Sequence, residues 1–444
     1  MAHSPRTNRR SFLAAAATTA AGPWMASSLL RYAQAADASD PAAANPKIAT
    51  DRRAALEILK PSEKQLARGL ELHAHSIVLD TYGFGPGAAV DNAVLAAVIN
   101  SGASDQEVID AREDMMMTRF VTDSAERTEY QDAWAAAGVT AIIRNSGEEG
   151  NDPLRLLKRL ARWVYVTDRL RERFPKAVTA DDVVAAHEAN RHAIMLTTNG
   201  VPLVQQWANT TDEQRYIRVF AELGVRMMHL TYNRRNPIGD GCGEANDAGL
   251  SDFGRQVVAE LNRQGIVVDC AHSGQKTSLD AAKVSTKPMV ASHTVVAAIN
   301  PHIRAKQDEV IRAIADTGGL VGICCIPGFL GRGNDIAAFL DHIDDVVKRF
   351  GVDHVAIGTD TGYQSRLKPN DAKLPARGRQ RTRWESLWPP GSSPVSRDPR
   401  AAASLAWTNW PLFTVGMVQR GYSDDDIRKI LAGNMLRVLK ANEA

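Results

Sequence analysis

Short apolar runs and longer amphipathic stretches alternate along this chain. The apolar runs occupy residues 76–80, 139–145, 193–198, 225–231, 266–271, 288–292, 320–326 and 355–359. Each is short and carries little polar alternation, the pattern of parallel strands buried on both faces. Helical spacing fills the intervals. Residues 212–223 and 251–264 are clear cases, the second opened by Ser251 as N-cap and followed by Gly265. Residues 308–317 stop at Gly318-Gly319 and residues 336–350 stop at Gly351. Eight strand-then-helix units predict an α/β chain folded as a (β/α)8, or TIM, barrel, in one domain over residues 61–444. A doubly wound sheet is the competing arrangement, but no glycine-rich phosphate loop follows the first run.

Two segments precede the repeat. Residues 1–35 have the form of a twin-arginine signal peptide: Asn8-Arg9-Arg10-Ser11-Phe12-Leu13, a weakly apolar stretch over 14–30, then Ala33-Gln34-Ala35. The stretch is rich in Ala and Thr and broken by Gly22-Pro23, which favours cleavage over a membrane anchor. The expectation is a periplasmic protein that engages the twin-arginine export machinery. Residues 36–60 read as a loose lead-in ending in a short helical stretch.

Composition narrows the partners. Fifty-three Lys+Arg stand against 51 Asp+Glu, for a formal net charge of +2, so there is no basic field for nucleic acid. The four cysteines, Cys242, Cys270, Cys324 and Cys325, are too few for a disulfide framework in 444 residues. Cys324-Cys325 lie inside an apolar run and read as small buried hydrophobes.

A (β/α)8 barrel carries its chemistry at the C-terminal ends of its strands. The residues at those ends are Asp80, Asn145, Asn199, Tyr232, His272, His293, Pro327 and Asp360. His272 and His293 close consecutive runs, and neighbouring strands lie about 4.8 Å apart, so their imidazoles can share a divalent metal. The competing role is a pair of core histidines bonded to carbonyls. Asp360 can bind a metal or take a proton, and helix N-capping is its alternative. Arg304, on the long loop after the sixth run, can hold a substrate carboxylate; alone it reads as a surface arginine. His73-Ala74-His75 has ligand-pair spacing but precedes its strand, so it reads as a helix end with one structural histidine. Residues 364–400 carry nine Lys/Arg and three Asp/Glu beside the barrel mouth, as a solvated loop or an anion-attracting lid.

The stretches Leu250-Ser251-Asp252-Phe253-Gly254, Leu261-Asn262-Arg263-Gln264-Gly265 and Val268-Asp269-Cys270-Ala271-His272 are specific. Ser292-His293, Asp341-His342-Ile343, Gly358-Thr359-Asp360 and Gly433-Asn434-Met435-Leu436-Arg437 add to them. On these motifs, residues 65–441 resemble the membrane (renal-type) dipeptidase family, the M19 metallopeptidases. The resemblance implies a TIM barrel and two zinc ions. It also implies a second-site pair at His272 and His293, a catalytic aspartate at Asp360 and a substrate-binding arginine at Arg304. It breaks elsewhere. Where the family reads Asp-Gly-His-Asn-Asp, this chain reads Asp80-Thr81-Tyr82-Gly83-Phe84, so both first-site ligands are missing. The bridging glutamate falls on Asn199 and the substrate-binding histidine on Tyr232, a second candidate substrate contact.

The resemblance with these departures implies at most one divalent metal per subunit, zinc first. It would sit on His272 and His293, with Asn199, Asp360, Asp80, Tyr82 or water completing its shell; complete loss of the metal is the other outcome. The functional expectation is a metal-dependent dipeptidase-like hydrolase acting on a dipeptide or modified peptide. The alternatives are a non-hydrolytic maturation or tailoring protein and a catalytically inactive binding homologue. The chain resembles a divergent branch of exported dipeptidase-like proteins found beside siderophore-maturation pathways such as that of pyoverdine. A homodimer is usual in the family.

Overall fold

The eight strands expected are present, all parallel and in chain order around one sheet. They are β1 (Leu79–Gly83), β2 (Ala141–Asn145), β3 (Ala193–Thr198) and β4 (Val225–His229), then β5 (Val267–Asp269), β6 (Val290–Val296), β7 (Leu320–Ile323) and β8 (Val355–Ile357). Helices follow the strands, so the (β/α)8 barrel is observed. This computed structural model describes residues 45–146, 150–377, 387–389, 392 and 398–443. The twin-arginine segment and the start of the 36–60 lead-in lie outside them, as does much of the 364–400 loop.

The barrel closes between β8 and β1 by single bonds rather than a regular ladder. The Asp360 N–H donates to Tyr82 O at 3.0 Å and the Phe84 N–H to Thr361 O at 2.9 Å. Thr81 Oγ1 donates to Ile357 O (3.0 Å) and Ser292 O (2.8 Å), a stitch across the interior. Just above, Gly85–Gly87 pairs in parallel with Gly362–Gln364. A Cβ on Gly362 would lie 2.4 Å from Gly85 O, so only glycine permits that pairing.

The lower interior is apolar and dry. Leu79, Ala141, Ile143, Met195, Met227, Val267, Leu320 and Ala356 all sit there, buried. Towards the C-terminal end the same inward positions turn polar: Thr197, His229, Asp269, Ser292 and His293 are all buried. The change of polarity marks where chemistry begins.

Most strands start or stop a few residues from the expected bounds, β6 running to Val296 rather than 292, and three differences matter for the architecture. β1 begins and ends three residues later than the run 76–80, because the chain bulges between Asp80 and Gly83. The described part of the lead-in is longer and more firmly packed than a short helical stretch: Pro46–Leu59 is a helix of 14 residues capped by Asn45, with Ile48 and Ala55 fully buried. Asn409 Nδ2 donates to Asp51 O and Gln419 Nε2 to Leu59 O, so the helix is fastened to the C-terminal part of the domain. The stretch 212–223 breaks into a short turn, Thr210–Glu213, and the helix Arg215–Glu222.

Candidate metal and catalytic site

β6 delivers His293 through an irregularity. Its register against β7 shifts between Ala291 and Thr294, and a bulge of this kind re-aims a side chain. Gly322 and Gly358 make room: a Cβ on either would lie about 2 Å from Ser292 O, at 2.0 and 1.9 Å. His272 follows β5 in a turn. Its Nε2 lies 2.9 Å from His293 Nε2, with both residues buried. His272 Nδ1 lies 2.7 Å from Asn233 Oδ1, which can only accept, so Nδ1 holds the proton and Nε2 presents its lone pair. His293 Nδ1 is 2.8 Å from Ser292 Oγ.

Burial first, and then the nearby Arg304 charge, hold both imidazoles well below their ordinary pKa. With the His272 proton on Nδ1, His293 Nε2 donates the 2.9 Å bond to His272 Nε2, and a shift of that proton to Nδ1, against Ser292 Oγ, would free both Nε2 lone pairs for a divalent metal. The donor set on this side therefore fits a metal.

On the opposite side it does not. The Tyr82 ring stacks on His293 with centroids 3.8 Å apart, and its hydroxyl donates to Asn199 Oδ1 at 2.8 Å. Tyr82 and Asn199 occupy two of the positions where the resemblance puts first-site ligands, and here they bond to each other. Phe84, at a third, offers no donor. Tyr232 stacks on His272 at 4.0 Å, so tyrosine faces flank both histidines.

Asp80 needs a correction. Its carboxylate accepts from Thr359 N (2.9 Å), Thr359 Oγ1 (2.7 Å) and Trp407 Nε1 (3.0 Å). It ties β1 to β8 through three hydrogen bonds, two of them filling Oδ2, so it serves the framework rather than a metal shell. Burial pushes its pKa up to about 7 against those donors.

Asp360 has positive φ (54°), a left-handed backbone that aspartate tolerates better than most residues and that recurs at functional sites. Its carboxylate accepts no hydrogen bond among the described residues and is half-buried. Burial, opposed by Arg304, pushes it up to about 7. Arg304 is not a surface residue. It is 1 % exposed, donates from Nη2 to Ala271 O (3.3 Å) and His293 O (3.1 Å), and its Nε has no partner. A buried guanidinium facing no carboxylate in hydrogen-bond contact has capacity for an anionic guest.

His73 and His75 end the helix Glu63–Ala74, away from this site. His73 is buried between Thr414 Oγ1 and Ala137 O, and burial pushes it down to about 4. The cysteines are all unbridged, and Cys324 and Cys325 are buried. Of the 364–400 loop, the described part pairs outward, Arg366 with Glu129 and Arg377 with Asp105. Trp388 returns to stack on Phe329, whose ring lies 5.7 Å from the Arg304 guanidinium.

The sequence reading passed over His229, Asp269 and Asn233. His229 closes β4 and is fully buried, with Nε2 2.7 Å from Asp269 Oδ2. Inward parity along Val225, Met227 and His229 is the signal that finds it.

Residues 72–371 match the family described as membrane dipeptidase (peptidase family M19). The chain belongs to that family. It is 28% identical over 278 residues to dipeptidase tcpJ of Claviceps purpurea, covering 61% of this chain and 56% of that protein. The chain thus spans about half the length of the curated relatives it matches. Among solved structures it is similar to an amidohydrolase from Pseudomonas aeruginosa, 26% identical with a TM-score of 0.59, over 84% of this chain and 98% of that one. It shares its fold with the probable dipeptidase PvdM from the same organism, 16% identical, TM-score 0.59, over 85% and 98%. Membership of a metallopeptidase family implies a divalent metal, typically zinc.

Proposed function

We propose that this chain is a periplasmic, metal-dependent dipeptidase-like hydrolase, exported by the twin-arginine route, with one metal per subunit. The observation that carries the proposal is the His272–His293 pair, two neutral imidazoles with their Nε2 atoms 2.9 Å apart, with the Arg304 charge close enough to act on both rings and on Asp360. His272 and His293 would hold the metal, which when bound supplies Lewis-acid polarisation of a carbonyl and activation of water. Asp360, with a carboxyl near neutrality and no hydrogen-bond partner, takes and returns a proton. Arg304 turns its unpartnered Nε to the carboxylate of a peptide. Tyr232, flat against His272, offers a face and a hydroxyl to the substrate.

The substrate is a small peptide or peptide-like molecule. The Tyr82–Asn199 bond favours a second reading, in which the family's two-metal chemistry is gone and the protein tailors or matures a secreted modified peptide. That arrangement is also the basis for placing the chain on a divergent branch, and a homodimer is part of the same proposal.

The test combines elemental analysis with a panel of L-L and L-D dipeptides assayed in added Zn, Mn and Fe. One metal equivalent with weak turnover supports the hydrolase; two equivalents with robust turnover restore an ordinary binuclear dipeptidase. Metal without any turnover moves the weight to the maturation reading. Replacing Arg9 and Arg10 by lysine should strand unprocessed protein in the cytoplasm, and normal periplasmic recovery would discard the export argument.

A further inference from the structure

We propose that His229 is a third protein ligand, so that the metal sits in a three-histidine site whose third imidazole is oriented by Asp269. This rests on the reading that His272 and His293 hold one metal.

The three rings converge. The His229 centroid lies 5.3 Å from that of His272 and 5.3 Å from that of His293, and the last two are 4.9 Å apart. An imidazole bound at about 2.1 Å places its ring centre roughly 3.2 Å from the metal, so a tetrahedral pair has centres about 5 Å apart. All three separations meet that figure.

His229 is also built to be a ligand. It is 0 % exposed, and neither of its ring nitrogens makes a hydrogen bond. A buried ring nitrogen without a partner is costly, and that cost disappears if the nitrogen binds a cation. Its Nε2 lies at ion-pair distance, 2.7 Å, from Oδ2 of Asp269, the residue directly opposite it in the β4–β5 ladder. Asp269 is itself held in place, with Oδ1 accepting from Ala271 N (2.9 Å) and Ser292 N (3.0 Å). A carboxylate behind one ring nitrogen is the usual device for fixing the tautomer and orientation of a metal-binding histidine. One donor atom each from His229, Asp269 and His293 falls within 4.8 Å of the others, and His272 joins them through its 2.9 Å approach to His293.

The chemistry of the set follows. Three neutral nitrogens with no carboxylate in the inner shell suit zinc, cobalt or copper over manganese or magnesium. The loss of carboxylate ligands on the β1–β3 side is then matched by a gained imidazole on β4.

The test uses the full purified chain, stripped with a chelator and reloaded with one equivalent of zinc. X-ray absorption at the zinc edge should count three imidazoles, and cobalt substitution should give the intense visible bands of a four-coordinate nitrogen-rich site. In competition with a chromophoric chelator, His229→Gln should weaken zinc binding at least about 100-fold and Asp269→Asn by about 10- to 100-fold. Circular dichroism would verify that both variants are folded, and the absorption measurement on the native chain stands even if they are not. Two imidazoles with unchanged affinity in His229→Gln would overturn the three-histidine site and leave the one-metal reading intact. A native chain that retains no zinc would overturn both.

Discussion

The two halves of the barrel mouth have opposite chemistry. On the β4–β6 side, His272 and His293 bring their Nε2 atoms to 2.9 Å and the His229 ring lies 5.3 Å from each of theirs, all three buried. On the β1–β3 side, the corresponding polar groups satisfy each other: Tyr82 bonds Asn199, and Asp80 is consumed by Thr359 and Trp407. The Tyr82–Asn199 bond offers no imidazole donor to a cation, whereas the His272–His293 pair, which shares one hydrogen bond, can give that proton up and present two ring nitrogens. The contrast teaches that this fold can keep imidazole donors on one side of the mouth while the other side becomes framework.

The sharpest way to break the contrast is His272→Ala. It removes a donor from the metal side, so tightly bound zinc should fall to background and whatever hydrolysis exists should drop on the order of 10³-fold or more. Elemental analysis and turnover, measured on the same preparation, check this. Retained activity would take the metal out of the mechanism.

Asp360→Asn should cost about 10²- to 10⁴-fold in kcat while leaving metal content unchanged. The native carboxyl, raised to about 7, must be deprotonated to act as a base, so kcat/KM should climb as pH rises through about 7 and then level. Arg304 opposes that rise in pKa, so Arg304→Met should move the limb to higher pH and raise KM together. A profile flat from pH 5 to 9 would remove Asp360 from the proton transfer.

Asp80→Asn addresses the framework side. The substitution keeps an acceptor for Thr359 N but sets an NH₂ group against the Trp407 indole N–H, so unfolding free energy should fall by about 1–3 kcal/mol. The folded carboxyl has a raised pKa, so the folded state binds its proton more tightly than the unfolded chain does. Native stability should therefore decline as pH rises from about 4 to about 7, and Asp80→Asn should flatten that slope. Urea titrations at several pH values measure both effects, and zinc stoichiometry should not move.

The architecture was legible because eight buried strands leave eight apolar runs, and each run was found. His272 and His293 were legible because each directly follows an apolar run. His229 was hidden because the apolar run continues past it through Leu230 and Thr231, although the ladder stops at His229. Reading the last residue of a run misses the last inward one. Burial of Arg304 was equally hidden, since it comes from loop packing against Phe329 and the carbonyls of Ala271 and His293, none of them near it in a sequence pattern. The helix Pro46–Leu59 was underestimated for the same reason: its partners, Asn409 and Gln419, lie more than 300 residues away.

The smallest expected effect, and the finest test of the contrast, is Tyr82→Phe. The ring remains, so its stacking on His293 at 3.8 Å and its burial should persist. Only the hydroxyl is lost, and with it the 2.8 Å bond to Asn199 Oδ1. One neutral hydrogen bond is worth about 0.5–1.5 kcal/mol, and that is the expected loss of stability by urea titration. If the β1 half is framework, zinc stoichiometry and the pH limb set by Asp360 should match the native chain, with kcat changed by no more than about twofold. A tyrosine hydroxyl that touched the reacting carbonyl would behave differently, because removing one donor to a developing charge costs about 10²- to 10³-fold in kcat. The two outcomes differ by far more than the stability change can account for. A large loss of kcat at full metal content would therefore make Tyr82 part of the chemistry and dissolve the division between the two halves.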